Sequence, residues 1–511
     1  MSDQAGQKLH IALAIHQGFS MRYLLQTDIL PTLLEDAHVS ILTQEDPASI
    51  QQVCDTTDIE FCEISTDRSA AYFQSSRIQR YLAFIRLCTL GKAISTAEIW
   101  WERARADARI NGAGFRTTLI HGILRCFIRI ARRSRTVRRS MLALEARQYT
   151  PTFHVDALKR LNPDLVVTTS LGTFDYDQYV MRAAHKLGIP VAAVILSWDN
   201  TTTRGYPGAA IDHVIAWTET MKRELIDLHD ISEEKVFVGG IAHFDKYYQS
   251  ASAYDRTDFF RKNNLDPNKR LIVFATKSPN AYPYNPNIVE ALADACEDGR
   301  LPEDVQILVR VHPLHFKFKQ GEPVYAELLD LYRTLDERHD CLCFNMPKIG
   351  SDKIDYVMEK NEIGFLSDLL RSADVLVNIF STLNIEGAIF DIPLVNICFE
   401  GERPMYDFTK KSRFGISSDF REDHNQRIAR SGGTQIVYNQ QDMVTAVDNY
   451  LLNQKQDRSG REKIRQSETG PNGGNAGIMI GHDLIAFAQN SVSKVRLPGQ
   501  PPIAAERIAR Q

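Results

Sequence analysis

The stretch Asp374–Asn396, DVLVNIFSTLNIEGAIFDIPLVN, sets a strand, a turn, a short helix and a second strand in succession. An apolar run of strand length, Val375 to Ile379, stops at Phe380-Ser381-Thr382. A short helical segment carrying Glu386 follows, and a second apolar run opens after Asp391-Ile392-Pro393. In a parallel α/β sheet such a turn lies at the carboxyl end of a strand, in the crevice where open sheets bind ligands. The N–H groups and positive dipole end of the following helix suit a phosphate there, and Ser381 and Thr382 add two hydroxyls. A capping box places its Glu three residues after the capping hydroxyl. Glu386 is five after Ser381 and four after Thr382, so that box does not explain it. From this stretch alone, Ser381 as a plain N-cap and Glu386 as a first-turn acid remain the alternative.

The residues before it continue the same alternation. Leu271–Ala275 reads as a strand ending at Thr276-Lys277-Ser278, and Val305–Val311 as a strand ending at Arg310-Val311-His312-Pro313. Helical patterns at Ile288–Cys296, Tyr325–Leu335 and Phe365–Ser372 separate the strands.

The first half repeats the plan. Leu9–Ile15 is a buried strand that breaks at His16-Gln17-Gly18, and further strands are expected at His38–Leu42, Leu165–Thr168, Ile189–Leu196, His213–Trp217 and Val236–Val238. Two strand-end loops are dense in polar groups: Ser170 to Asp177, with Asp175 and Asp177, and Ser197 to Gly205, with Asp199. Asp175 and Asp177 also sit where a helix start favours acids.

Two such series imply an α/β protein of two Rossmann-like domains with a central cleft. At 511 residues the chain is too long for one core. The expected division is 1–249 for the N-terminal domain with a helical insertion at about 70–147, a polar linker at 250–270, a C-terminal domain at 271–492 and a loose tail at 493–511.

Composition narrows the function classes. Hydrophobic residues at 43% and charged residues at 24% are ordinary soluble usage. A formal net charge of −4 gives no global attraction to nucleic acid. Eight scattered cysteines read as reduced, buried thiols, and Cys341-Leu342-Cys343 lacks a second pair at zinc-site spacing. With no signal-peptide pattern and no run long enough to span a bilayer, the expectation is a cytoplasmic protein, peripheral at most to the inner face of the membrane. One segment is locally basic. Arg125, Arg129, Arg132 and Arg133 interleave with Ile123, Leu124, Phe127, Ile128 and Ile130, the pattern of a helix that lies on an anionic membrane surface or of a solvated helix packed on its own domain.

Taken together, Ser381-Thr382, Glu386 and His312-Pro313 fall at strand ends of one C-terminal domain. This arrangement resembles glycosyltransferases of the GT-B fold, in which that domain holds a nucleotide-activated donor. Val309-Arg310-Val311-His312-Pro313 looks like the His-Pro motif of bacterial sialyl-, Kdo- and glycerophosphate-transferases, Phe380-Ser381-Thr382 like their Ser-Ser/Thr motif, and Glu386-Gly387-Ala388 like the acid that binds the donor ribose. The resemblance implies a donor site of His312, Pro313, Ser381, Thr382 and Glu386, with Thr276, Lys277 and Arg310 on the neighbouring strand ends. It implies that His312 helps neutralise the leaving phosphate and that neither metal nor cofactor is needed beyond the nucleotide-sugar itself. The acceptor, a glycan or lipid-linked hydroxyl, would be deprotonated from the N-terminal domain by Asp199, Asp177, Asp175 or His16.

The function expected is transfer of a sugar from a nucleotide-activated donor to an acceptor hydroxyl in cell-surface glycan synthesis. A CDP-glycerol- or ribitol-type phosphotransferase is the near alternative, although that family shows Asp at the position of Glu386. A non-hydrolysing sugar-nucleotide 2-epimerase shares the architecture, but its Ser-Gly-Gly segment is absent at Ser381-Thr382-Leu383. A catalytically silent, membrane-attached scaffold is the alternative from another class.

Overall fold

The computed structural model describes residues 8–495 apart from 55–58, 92–94, 113, 174–175, 250–253, 320–321, 348–358, 360 and 402–414. Asp175, the first residues of the expected linker and the expected tail from 496 onward lie outside the described residues.

Seven parallel strands form the first sheet: β1 (Leu9–Ala14), β2 (Ala37–Thr43), β3 (Ile59–Glu63), β4 (Leu165–Thr168), β5 (Val191–Val194), β6 (His213–Ala216) and β7 (Val236–Val238). Their order is β3-β2-β1-β4-β5-β6-β7. The second half opens with β8 (Arg270–Ala275) and β9 (Val305–Arg310), and a small antiparallel hairpin pairs β10 (Phe318–Lys319) with β11 (Glu322–Pro323). β12 (Leu342–Asn345), β13 (Val375–Asn378), β14 (Leu394–Ile397) and β15 (Thr434–Val437) complete a second parallel sheet, ordered β12-β9-β8-β13-β14-β15. This is the two-domain α/β architecture of the GT-B fold.

Both sheets are covered on both faces, which is why their strands read as continuous apolar runs. Along β8, Leu271 and Val273 enter one core while Ile272 and Phe274 enter another, the period of two that a strand imposes. The strand order reverses between β1 and β4 in the first sheet and between β8 and β13 in the second. Helices leave in opposite directions at such a point and open a crevice at the strand carboxyl ends. His16, the loop after β4, Thr276-Lys277 and Phe380–Thr382 all follow those four strands.

Five helices from Thr66 to Gln148 form the insertion. They enclose a small core of their own that includes Leu82, Ile85, Trp101, Ile128 and Ala131. Two of the arginines expected to meet a membrane turn inward instead. Arg132 is 8% exposed and donates to the Cys88 carbonyl at 2.7 and 2.9 Å, and Arg125 pairs with Glu98 at 2.7 Å. Exposed Arg129 and Arg133 remain outward. Helix geometry explains the split, because 125 and 132 are seven residues apart and share the packed face.

Two boundaries differ from expectation. The linker region contains a helix, Arg256–Lys262, capped by Asp255, whose carboxylate accepts the N–H groups of Thr257 and Asp258 at 2.8 and 3.1 Å. Its two aromatic side chains, Phe259 and Phe260, are buried. The helix Ala476–Val495, expected with the C-terminal domain, packs against the N-terminal helix Ile29–Asp36. An added Cβ at Gly481 would lie 2.7 Å from Thr32, so glycine permits this approach. No helix among the described residues is long and apolar enough to cross a membrane.

Candidate functional site

The turn after β13 is held by side chains that the sequence reading passed over. Asn378, Asn384 and Asn396 are fully buried. Asn378 donates to Asn384 at 3.0 Å and accepts the Ser381 N–H at 3.2 Å. Asn396 donates to Asn384 at 2.8 Å and to Thr434 at 2.7 Å, and accepts the Phe380 N–H at 3.1 Å. Three buried amides thus replace the backbone pairing that the chain gives up on leaving the sheet. Phe380 stands at φ 45°, a left-handed conformation that costs a bulky residue energy. Such strain persists where its surroundings over-determine it, as at ligand-binding turns.

Thr382, not Ser381, is the N-cap of the short helix Leu383–Ile389, and Ser381 Oγ accepts the Leu383 N–H at 3.3 Å from one residue further out. Glu386 does something else. It is 6% exposed, and its carboxylate accepts hydrogen bonds from the hydroxyls of Tyr247 and Thr382. Burial pushes its pKa above the usual range, opposed by the Tyr247 hydrogen bond and by the charges of Arg22 and Arg310. Tyr247 belongs to the helix Asp245–Gln249 at the end of the first half, so this acid is met from across the cleft.

His312 follows β9. Its N–H donates to the Thr276 hydroxyl at 2.8 Å, and its Nδ1 accepts the Leu314 N–H at 3.1 Å. Pro313 starts a 3₁₀ turn, Pro313–Phe316, that fixes this geometry. Burial, with His315, Arg310 and Lys277 nearby, pulls the imidazole down to about 3. The ring is therefore neutral and carries its proton on Nε2, because Nδ1 is an acceptor. In this state the ring can act on an anion as a hydrogen-bond donor. Arg310 is likewise engaged, by Asn345 and Glu362, and Lys277 by Asp419 at 2.7 Å.

Arg22 was missed altogether. It lies on the helix Gly18–Leu25 that follows β1, is 8% exposed, and forms no ion pair among the described residues; its Nε has no hydrogen-bond partner. Its charge acts on Glu386, Tyr247 and Arg310. The available signal was a cation inside GFSMRYLL, where its neighbours Met21, Tyr23, Leu24 and Leu25 are all buried. A buried guanidinium without an ion pair among the described residues, close to Glu386 and with its Nε unbonded, is suited to meet an anion.

On the N-terminal side the structure joins two of the predicted candidates. His16 Nε2 lies 2.7 Å from Asp177 Oδ1, and the Ser170 hydroxyl donates to Asp177 Oδ2 at 2.8 Å. A carboxylate this close to an imidazole is an arrangement suited to orienting the ring and moving a proton. Asp199 stands apart from this pair. Its carboxylate accepts hydrogen bonds from the Ser197, Thr203 and Asn200 side chains. Burial alone would raise its pKa, but His424, Arg204 and those hydroxyls bring it below the usual value. A carboxylate so well satisfied is a poor proton acceptor and a good anchor for its loop.

Two groups of metal-capable side chains occur among the described residues, His10, His38 and Glu60, and Asp294, Glu297 and His339. His10, His38 and Glu60 each lie at the second residue of their strands, at the opposite end from the crevice.

No family model matches the chain, and no curated protein matches it in sequence. Solved structures share its fold. UDP-GlcNAc 2-epimerase from Neisseria meningitidis bound to UDP-GlcNAc is 11% identical, with 94% of this chain and 100% of that one covered and a TM-score of 0.51. The Methanocaldococcus jannaschii UDP-GlcNAc 2-epimerase in complex with UDP-GlcNAc and UDP is 14% identical over the same shares, with a TM-score of 0.50. The S. aureus MnaA–UDP structure is 10% identical, covers 97% and 100%, and scores 0.52.

Proposed function

We propose that this protein is a glycosyltransferase that moves a sugar from a nucleotide-activated donor to an acceptor hydroxyl, without a metal, in cell-surface glycan synthesis. The observation that carries the reading is Arg22, a buried cation without an ion-pair partner among the described residues, set against Glu386 and Arg310 at the reversal points of both sheets. A donor diphosphate would supply the ion pair that Arg22 does not form among the described residues. Ser381, Thr382 and the Nε2–H of His312 would hold the phosphate oxygens, with Thr276 and Pro313 fixing the imidazole and Lys277 exchanging its pairing with Asp419 for the ligand. Glu386 would take the ribose hydroxyls from Tyr247. Each of these contacts gains strength as charge grows on the departing nucleotide, which is where binding energy accelerates a reaction. His16, oriented by Asp177, would accept the proton of a glycan or lipid-linked acceptor. The protein would work on the cytoplasmic side, peripheral to an anionic membrane.

A 2-epimerase reading is favoured by one observation, the shared fold with UDP-GlcNAc 2-epimerases, which the same pair His16–Asp177 could also serve. Thermal-shift titration with CDP, CMP, UDP, GDP and dTDP tests the common premise. At least one should raise Tm, and Arg22→Gln and Glu386→Ala should each weaken it roughly tenfold or more, the loss expected when a charge-assisted contact is removed. No stabilisation by any of them removes the enzyme reading. Incubating the nucleotide-sugar that binds, with no acceptor present, then separates the two chemistries, since only an epimerase produces the 2-epimer.

A further inference from the structure

The helix Phe115–Arg133 has two apolar faces. Ile128 and Ala131 pack inward on the insertion core. The opposite stripe is bare: Phe115 is 81% exposed, Leu119 54%, Ile123 61% and Ile130 54%. Spacings of four, four and seven residues set these side chains along one side of the helix. Among the described residues, nine of the fifteen exposed large hydrophobic side chains lie between Ile78 and Leu144, so the exposure is concentrated on the insertion. A soluble surface rarely leaves such a run uncovered.

The charges beside the stripe indicate what covers it. The helix contains five arginines and no acid. Arg125 and Arg132 are consumed internally by Glu98, while Arg116, Arg129 and Arg133 are exposed: Arg116 and Arg129 lie at helical angles on either side of the stripe, and Arg133 continues the Phe115 edge of it toward the helix end. A second copy of the same face would bring arginines against arginines with no carboxylate on the helix to meet them. A nucleic acid would leave four large aliphatic and aromatic groups against phosphate and water. A bilayer with anionic headgroups satisfies both features at once, the apolar stripe below the headgroup plane and the guanidinium groups in it.

We propose that the Phe115, Leu119, Ile123 and Ile130 face of this helix, flanked by Arg116, Arg129 and Arg133, docks the protein flat on an anionic lipid bilayer. The docking face is separate from the cleft, so it stands or falls independently of the sugar-transfer chemistry.

Flotation of the full chain with vesicles of phosphatidylcholine, with and without phosphatidylglycerol, is the test. Wild type should float with the anionic vesicles at low salt and dissociate at high salt, where the Debye length shrinks to about 3 Å. Leu119→Ser/Ile123→Ser should not float. Arg116→Gln/Arg129→Gln/Arg133→Gln should bind about a hundredfold more weakly, at roughly fivefold per arginine, with less salt dependence. Both variants alter exposed side chains, and a melting temperature and circular-dichroism spectrum like those of wild type show that they are folded. Failure to float at low salt, equal flotation on neutral vesicles, or undiminished flotation of the double-serine variant would each overturn the proposal. So would a wild-type dimer that the double-serine variant abolishes.

Discussion

Glu422 shows how a single burial changes chemistry at the cleft. It precedes the helix Asp423–Ser431, and its side chain is 13% exposed. Burial first, and then the neighbouring charge of Asp419, push its carboxyl up to about 8, against the pull of Lys277 and Arg103. The folded chain therefore keeps a proton that the unfolded chain releases near the ordinary 4.5. Between those values the native state binds more protons than the unfolded state, so stability falls as pH rises from 4.5 to 8 and levels off above. Glu422→Gln removes this contribution. The Tm of the variant should fall less than that of wild type across the window, with its advantage largest near pH 8, whereas parallel curves would contradict the assignment. His312 makes the complementary point: the sequence showed a histidine at a strand end, but its charge state came from burial first and then from His315, Arg310 and Lys277 around it.

At the scale of the element, the strand–turn–helix–strand unit from Val375 to Ile397 works because its helix lies close on the sheet. Gly387 makes this possible. A Cβ there would lie 2.6 Å from Leu394 Cδ2 and 3.0 Å from Leu376 Cδ2, both on fully buried residues of β14 and β13. Gly387→Val should destabilise by about 1–3 kcal/mol through overpacking. Because the displaced helix carries Glu386, nucleotide binding should weaken with it. A variant with unchanged denaturation midpoint and unchanged nucleotide affinity would show that the helix has room to spare. The unit was legible because its apolar runs and turn residues are local signals. Its asparagine network was not, since Asn378 and Asn396 look alike in sequence whether they face solvent or each other across β13 and β14.

At the scale of the molecule, the last helix ties the two halves together. The Asp245 carboxylate accepts the N–H groups of Gly474, Ala476 and Gly477 at 2.9, 3.0 and 2.8 Å, capping the helix Ala476–Val495 as it crosses to the first sheet. Asp245→Ala leaves those donors without an acceptor and should cost about 1–2 kcal/mol, with faster hydrogen exchange confined to that helix and to Ile29–Asp36 beneath it. Uniform exchange across the chain would instead place the effect elsewhere. The other side of the cleft is closed by the insertion, where Thr96 bonds Asp423 at 2.9 and 3.0 Å and Arg103 pairs with Asp419 at 3.1 Å. The same Asp419 holds Lys277, so the insertion and the donor side share one carboxylate.

The sequence by itself determined the two α/β series, the strand ends that carry polar residues, and the basic helix, because each is written in short-range periodicity and turn chemistry. Only the tertiary structure decided which of those residues act together. It joined His16 to Asp177 across 161 positions, surrounded Asp199 with donors from Ser197, Asn200 and Thr203, turned Arg125 and Arg132 inward, and brought Arg22 and Tyr247 to Glu386. The reason is physical. Periodicity fixes which face of an element is apolar, but charge state and partnership depend on burial and on neighbours contributed by distant strands, and no local pattern encodes those.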